Sequence, residues 1–314
     1  MNFLIFSCRA LKAPGWVPQW HIGVRAKVSK KLCAFISGIP VTLRVRDNNL
    51  RGPEINFLCV HKKLRSKRLA PVLIKEITRR CNLVNIWTAV YTAGVILPKP
   101  VASCRYFHRS LHWLKLYEVG FSPLPHGSTK QRQIAKYQLP SVTVTPGLRE
   151  MEKKDVPEVH QLLDRYLKRF EIAPVFSEEE IEHWLLHKPE ERQERVIWCF
   201  VAEVSRNYPQ FPRRGPQIYC CYFLLQNEAT HKITDFFSFY SLESSVIQTS
   251  KHSTVKAAYL FYYASETAFE EGPDTRKHLK ARLNKLMNDA LIIAKKVCTF
   301  PSIPNKKSLT CSSE

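Results

Sequence analysis

The chain lacks any apolar run approaching the ~18 residues that a membrane-spanning helix needs. Its opening Asn2–Phe6 stretch is too short for a signal-peptide core, and no basic residue precedes it. These two absences make the cytoplasm the expected location. Ten cysteines are present, but there is no CxxC pair and no Cys/His cluster at zinc-ligand spacing. No metal is expected, and the cysteines read as reduced, mostly buried thiols, the adjacent Cys220 and Cys221 included. No internal repeat is visible, and no Ser/His/Asp or Cys/His arrangement stands out. Acidic residues are also scarce: 27 Asp and Glu against 48 Lys and Arg leave a formal net charge of +21. Such a charge concentrates anions around the protein. Nucleic acid, anionic lipid and phosphorylated cofactors all fit it. What remains is ordinary for a globular protein, with 45% hydrophobic and 24% charged residues over 314 positions. That length suits one large domain or two medium ones.

The patterning along the chain is mixed α/β. Val17–Val24 and Lys31–Ile39 read as strands joined by a polar turn, and Glu54–Val60 as a third, apolar enough to be central in a sheet. The basic segment His61–Arg68 follows at once. A helix is predicted from Leu69, with Pro71 tolerated in its first turn and Leu69, Leu73 and Ile77 on one face. Asn85–Val95 reads as another strand, and Thr143–Gly147 as a connector. Beyond it, Asp155 and Glu158 suggest a capping box for a helix with the stripe Val159, Leu162, Leu163, Tyr166 and Phe170. Ser177 and Glu180 suggest a second box, for a short helix carrying Ile181, Trp184 and Leu185. Strands are expected at Val196–Ala202, Ile233–Tyr240 and Ala257–Ala264, and a helix at Leu279–Lys296. Ser205–Gln217 is a Pro-rich basic loop that splits a hairpin, and the Ser/Lys/Pro-rich tail from Val297 to Glu314 reads as disordered.

Chemistry concentrates in Glu54-Ile55-Asn56-Phe57-Leu58-Cys59-Val60-His61-Lys62. A buried strand ending in a basic turn at a helix start gathers free backbone N–H groups and the helix dipole at one point. Lys62, Lys63, Arg65, Lys67 and Arg68 add full charges, enough to grip a diphosphate. Arg65-Ser66-Lys67-Arg68-Leu69-Ala70 is loosely similar to the pyrophosphate turn of acetyltransferase folds, Arg/Gln-x-x-Gly-x-Gly/Ala, with Arg68 where the first glycine usually stands. Charge pattern alone leaves a solvated basic face or a localisation-type cluster open.

The order of residues adds more than the charge. Glu-Ile-Asn-Phe-Leu-Cys-x-His-Lys resembles the first signature of the N-myristoyltransferases, with every specified position present. Ala10-Leu11, Pro14-Gly15-Trp16 and Pro18-Gln19-Trp20-His21 resemble that family's entry strand, and similarity extends with interruptions over residues 10–296. The resemblance implies two acetyltransferase-like (GNAT-type) halves around a mixed, saddle-shaped sheet, incomplete at both ends. Residues 1–145 would bind acyl-CoA, 146–296 peptide, and 297–314 would be a divergent tail. No permanently bound cofactor is implied; myristoyl-CoA is the co-substrate, and glycine-initiated peptides and nascent proteins are the acceptors. The backbone amides of Phe57 and Leu58 would form an oxyanion hole. Phe57, Leu58, Cys59, Val60, Arg65, Ser66, Lys67, Arg68, Leu69 and Ala70 would line the CoA site, Lys67 also helping electrostatically. Thr92, counted with the catalytic groups, and Asn56, Gly94, Tyr106, His108, Ser244 and Tyr259 fall where family members contact the peptide or its glycine amine. Plainer roles exist: Tyr106 and Tyr259 as packing tyrosines, His108 as a structural histidine, Gly94 as a turn. The implied chemistry is direct acyl transfer, with the base supplied by the chain's own C-terminal carboxylate.

Departures from the family are expected to matter. The second signature, Lys-Phe-Gly-x-Gly-Asp-Gly, is absent after Lys295, the segment upstream of Ala10 is short, and Phe269–Arg282 reads as an insertion. His112-Trp113 stand where the family usually has Asn-Pro. The sequence therefore predicts a chain with weak turnover. Its alternatives are a non-catalytic acyl-CoA- or peptide-binding product and a basic nucleic-acid-binding protein. Peripheral membrane or ribosome association is a further expectation.

Overall fold

The computed structural model describes residues 9–94, 98–187, 195–204, 232–247 and 251–299. The Ser205–Gln217 loop and the tail beyond 299 lie outside the described residues; residues 297–299 continue a helix. The strands are β1 (His21–Arg25), β2 (Leu32–Val45), β3 (Asn48–Val60), β4 (Val90–Tyr91) and β5 (Leu148–Glu150), then β6 (Ile172–Pro174), β7 (Ile197–Val204), β8 (Lys232–Ser245) and β9 (Thr254–Ser265). The helices are α1 (Leu69–Asn82), α2 (Trp113–Glu118), α3 (Lys130–Lys136), α4 (Val156–Leu167), α5 (Glu178–Leu185) and α6 (Thr275–Thr299). The mixed α/β class expected from the sequence holds, with the strands shared between two sheets.

The described residues fall into two compact units, one from 9–107 and 164–184, the other from 108–163 and 185–299. Ile172–Pro174 returns to pair with Leu43–Val45, which draws its segment into the first unit.

In the first unit the sheet order is β1-β2-β3-β4, with β6 also on β2; only β3–β4 is parallel. The first strand begins at His21 rather than Val17, because Pro18–Trp20 form a 3-10 turn whose Trp20 N–H bonds Val17 O at 3.0 Å. Helix α1 buries Leu73, Ile77 and Cys81, spaced four apart, against Trp20, Ile22, Ala34 and Ile36. Gly38 lets the helix sit close, since a Cβ there would meet Ile77 Cδ1 and Pro53 Cβ at 3.2 Å. The strand expected over Asn85–Val95 shrinks to Val90–Tyr91. Residues before it wrap the end of α1 instead: Val84 and Ile86 donate to Cys81 O at 3.0 and 3.1 Å, and Asn85 adopts φ +60°.

The second unit carries the antiparallel sheet β5-β7-β8-β9. Alternate aromatics stack across it, Phe200 on Phe237 and Trp198 on Phe239, both at 5.6 Å. Leu286, Ala290 and Ala294 of α6 cover Phe237 and Phe239. The connector is fixed by the buried Asp289 carboxylate, which accepts Val144 N–H and Thr145 N–H at 2.9 Å each. Gly147 ends it at φ +63°, where a Cβ would lie 1.9 Å from Glu203 O. The Asp155–Glu158 capping box is corrected. Glu152 is the cap and Asp155 the residue that reaches back to its N–H, while Glu158 accepts Ile233 N–H at 3.1 Å. The Ser177–Glu180 box, in the first unit, stands as predicted at 2.8 and 3.2 Å.

Candidate functional site

The β2–β3 ladder breaks register at one point. Ser37 pairs with Asn56 and Phe35 with Cys59, so Ile36 alone stands opposite both Phe57 and Leu58. The extra residue makes a β-bulge, and neither Phe57 nor Leu58 has a partner in the register. Phe57 sits at φ +55°, a left-handed conformation that costs an L-residue about 1–2 kcal/mol. Strain of this kind persists where neighbours over-determine it, and it collects at functional sites. The neighbour here is Ser37, fully buried, whose hydroxyl donates to Asn56 O at 3.0 Å. Asn56 Nδ2 donates to Glu54 Oε1 at 3.3 Å. Phe57 and Leu58 are thereby left out of the one-to-one pairing of the two strands.

The chain then enters a basic turn. His61 N–H donates to Cys33 O at 2.9 Å and ends the ladder. His61 Nδ1 accepts Lys63 N–H at 3.3 Å, capping the 3-10 turn Lys62–Lys67. Arg68 at φ +54° redirects the chain into α1. That helix begins without a side-chain cap and without an acidic residue in its first turn, so its positive end is uncompensated. Lys62, Lys63, Arg65, Lys67 and Arg68 are exposed and unpaired with any carboxylate among the described residues. Glu76, the one acid of α1, is held by Arg79 at 2.8 Å and Arg80 at 2.7 Å, which pull its pKa down to about 2. It is engaged at the far end of the helix and offers nothing to the cations at the near end.

The structure brings most of the sequence-predicted residues of the first unit together. Cys59 and Val60 lead from the bulge to the turn carrying Arg65, Ser66, Lys67 and Arg68, and Leu69 and Ala70 open α1. Strand β4 runs parallel to β3 with Glu54 beside Val90 and Ile55 beside Tyr91, so Asn56 and Thr92 are the next residues on the two chains. Gly94 has open space where a side chain would be, and Tyr106 is 78% exposed; neither joins this cluster through a contact. In the second unit, His108 meets Phe121 edge-on at 5.6 Å. Tyr259 stacks on Tyr240 at 5.3 Å, and Ser244 lies exposed on the same pair of strands, opposite Val255. Two residues of the first unit were not singled out as site residues from the sequence. Ser37, in an apolar strand between Ile36 and Gly38, was the visible signal for a buried hydroxyl. His21 lies stacked against Trp16 at 5.4 Å and edge-on to Phe35 at 6.3 Å; burial lowers its pKa and its Nε2 has no hydrogen-bond partner. Among the described residues no three His, Cys, Asp or Glu gather to hold a metal.

A strained bulge feeding an unpaired basic helix start meets a known pattern. The family description Myristoyl-CoA:protein N-myristoyltransferase, N-terminal domain, matches residues 3–104, and its C-terminal domain matches 118–210 and 208–300. The chain belongs to the N-myristoyltransferase family. It is similar to the glycylpeptide N-tetradecanoyltransferase of Aspergillus fumigatus, 59% identical over 287 residues that cover 91% of this chain and 53% of the relative. The Saccharomyces cerevisiae enzyme of that name is 47% identical over 293 residues, covering 91% and 59%. A crystal structure of Saccharomyces cerevisiae N-myristoyltransferase with bound myristoyl-CoA superposes with a TM-score of 0.81 at 46% identity, over 93% of this chain and 64% of that one. The chain thus spans about half the length of several curated N-myristoyltransferase relatives it matches.

Proposed function

We propose that this chain acts in the cytoplasm on myristoyl-CoA and glycine-initiated peptides, transferring the myristoyl group to the N-terminal amine. The observation that supports this most is the Phe57–Leu58 bulge, with its left-handed Phe57 one short turn before the uncapped start of α1. In this reading the diphosphate of CoA lies against the α1 N-terminus and the Arg65–Arg68 cations, through backbone N–H groups and charge together. The thioester carbonyl then reaches the bulge, where the Phe57 and Leu58 amides hydrogen-bond its oxygen. As the amine nitrogen bonds the carbonyl carbon, negative charge grows on that oxygen, and each positioned donor contributes ~3 kcal/mol. The carbon–sulfur bond breaks, the amide forms, and CoA leaves as the thiol with the proton released by the amine. A free α-amine has a pKa near 8 and is mostly protonated at neutral pH, so it must lose a proton before attack. Asn56 and Thr92, each the residue after the paired Ile55 and Tyr91, are the polar groups assigned to the glycine amine; Tyr106, His108, Ser244 and Tyr259 are assigned to the rest of the peptide.

Calorimetric titration of the purified chain with myristoyl-CoA, followed by mass spectrometry after adding a glycine-initiated peptide, tests the proposal. A peptide heavier by one myristoyl group supports transfer. Binding without product reduces the function to acyl-CoA binding, and no binding overturns it.

A further inference from the structure

The hairpin tip between β1 and β2 is held in one shape and offers charge to solvent. Ala26 N–H donates to Lys31 O and Lys30 N–H to Ala26 O, both at 3.0 Å, and Arg25 Nη1 donates to Lys30 O at 3.0 Å. Lys30 makes the turn at φ +55°. At the apex Val28 is 94% exposed, and Leu32 at the foot is 51% exposed. Arg25, Lys27, Lys30 and Lys31 surround them, exposed and without a carboxylate partner among the described residues. The nearest acid along the chain is Asp47, and the bond from His61 N–H to Cys33 O sets Lys62 and Lys63 at this same end of the sheet. The tip concentrates a wider asymmetry: residues 1–136 hold 24 Lys and Arg against 4 Asp and Glu, so they carry nearly all of the +21.

Charge alone would suit nucleic acid as well as lipid. Binding to single strands also uses aromatic faces on which bases stack, and the 25–32 segment has no aromatic residue. It has instead an aliphatic apex ringed by lysines, whose long stems can lie along apolar matter while the ammonium groups stay in water. That combination suits the headgroup region of an anionic bilayer, where basic residues and a buried apolar side chain act together. No helix among the described residues is long and apolar enough to cross a membrane, so a lipid contact through the described part is a surface one. We propose that the Lys27–Lys31 hairpin tip docks this protein onto anionic lipid surfaces, with Val28 entering the headgroup layer and Arg25, Lys27, Lys30 and Lys31 facing lipid phosphates and carboxylates.

The test is co-sedimentation of the full chain with phosphatidylcholine vesicles, with and without phosphatidylserine. Binding is expected only with phosphatidylserine, and it weakens as salt is added. The combined change Lys27→Gln, Lys30→Asn and Lys31→Gln should lower partitioning roughly a hundredfold, from the contribution of each lysine near an anionic surface. Asparagine is chosen at 30 because it tolerates the left-handed backbone; an unaltered circular dichroism melt shows the fold intact. Independently, the Val28→Trp chain, read against its parent, should gain blue-shifted emission with phosphatidylserine vesicles. This second readout stands even where the triple change disturbs folding. Undiminished partitioning of a folded triple variant, or emission that vesicles leave unmoved, overturns the proposal. Tight binding of a single-stranded RNA that the same substitutions abolish, without vesicle binding, would overturn it in favour of nucleic acid.

Discussion

Arg68 and Phe57 share a backbone conformation that a glycine adopts freely, and each stands at a point where the proposed ligand would touch the chain. The two can be tested separately from stability at Arg68. Arg68→Gly removes a cation and relieves a left-handed residue, so the melting temperature should hold or rise while the dissociation constant for myristoyl-CoA weakens roughly tenfold. Calorimetry beside a thermal melt checks both; unchanged affinity would move the phosphate contacts off Arg68. Asp155 poses a different question, of pH. Burial alone would raise its carboxyl, but the Arg149 guanidinium, at 2.7 and 2.8 Å, overrides burial and holds the carboxyl below its ordinary value. A carboxyl depressed on folding stabilises the protein above its unfolded pKa of about 4, and that gain is lost as pH falls through the folded value. Asp155→Asn should cost about 2 kcal/mol in urea unfolding at neutral pH, with the gap to the parent closing in acid. A gap that persists at low pH would mean the side chain acts by packing. The motif drew attention to Phe57 and Leu58 in the sequence. Their bulge was not legible there, because a register slip depends on the partner strand.

Helix α1 is the element that joins fold to site: its far turns are packed on the sheet, and its first turn faces the basic loop. Leu73, with 1% of its surface exposed, packs with Trp20, Ile22 and Ile36. Leu73→Ala should cost about 3 kcal/mol in urea unfolding, and a loss under about 1 kcal/mol would show that the layer collapses to fill the gap. Such elements were legible where one stripe decided them, as in α1 and in Val159, Leu162, Leu163 and Tyr166 of α4, all buried, whereas Phe170 of the same expected stripe lies past the helix end and is half exposed. Legibility failed where backbone donors chose among several side chains. Asp155 served Glu152 rather than opening a box with Glu158, and Asn85 turned the chain that was read as a strand. His112 is a related case. It stands where the family usually has asparagine, and its Nδ1 still accepts Lys115 N–H at 3.2 Å, capping α2, while Trp113 is buried against Tyr117.

At the scale of the molecule, two features escape local patterns. The division into units follows from pairing between Ile172–Pro174 and Leu43–Val45, more than a hundred residues apart, which no window of sequence reports. Net charge and its concentration in the first 136 residues can both be counted along the chain, but the gathering of Arg25, Lys27, Lys30, Lys31, Lys62 and Lys63 at one end of a sheet follows only from the strand pairing. That concentration bears on how a polyanion such as CoA would arrive. A positive field raises the encounter rate of an anion and is screened within about 10 Å at 0.1 M salt. Contacts made after docking are shorter than this and are screened less. Salt should therefore act mainly on association. Stopped-flow mixing with myristoyl-CoA is expected to show an association rate falling about tenfold between low and high ionic strength, while dissociation changes by much less. Lys27→Gln, Lys30→Asn and Lys31→Gln together should flatten the slope without altering the dissociation rate, since the tip adds to the field but touches no CoA in the proposed site. An association rate indifferent to salt would sink the steering argument. The basic turn would then act only by contact, and the charge on the hairpin tip would belong to a partner other than the acyl donor.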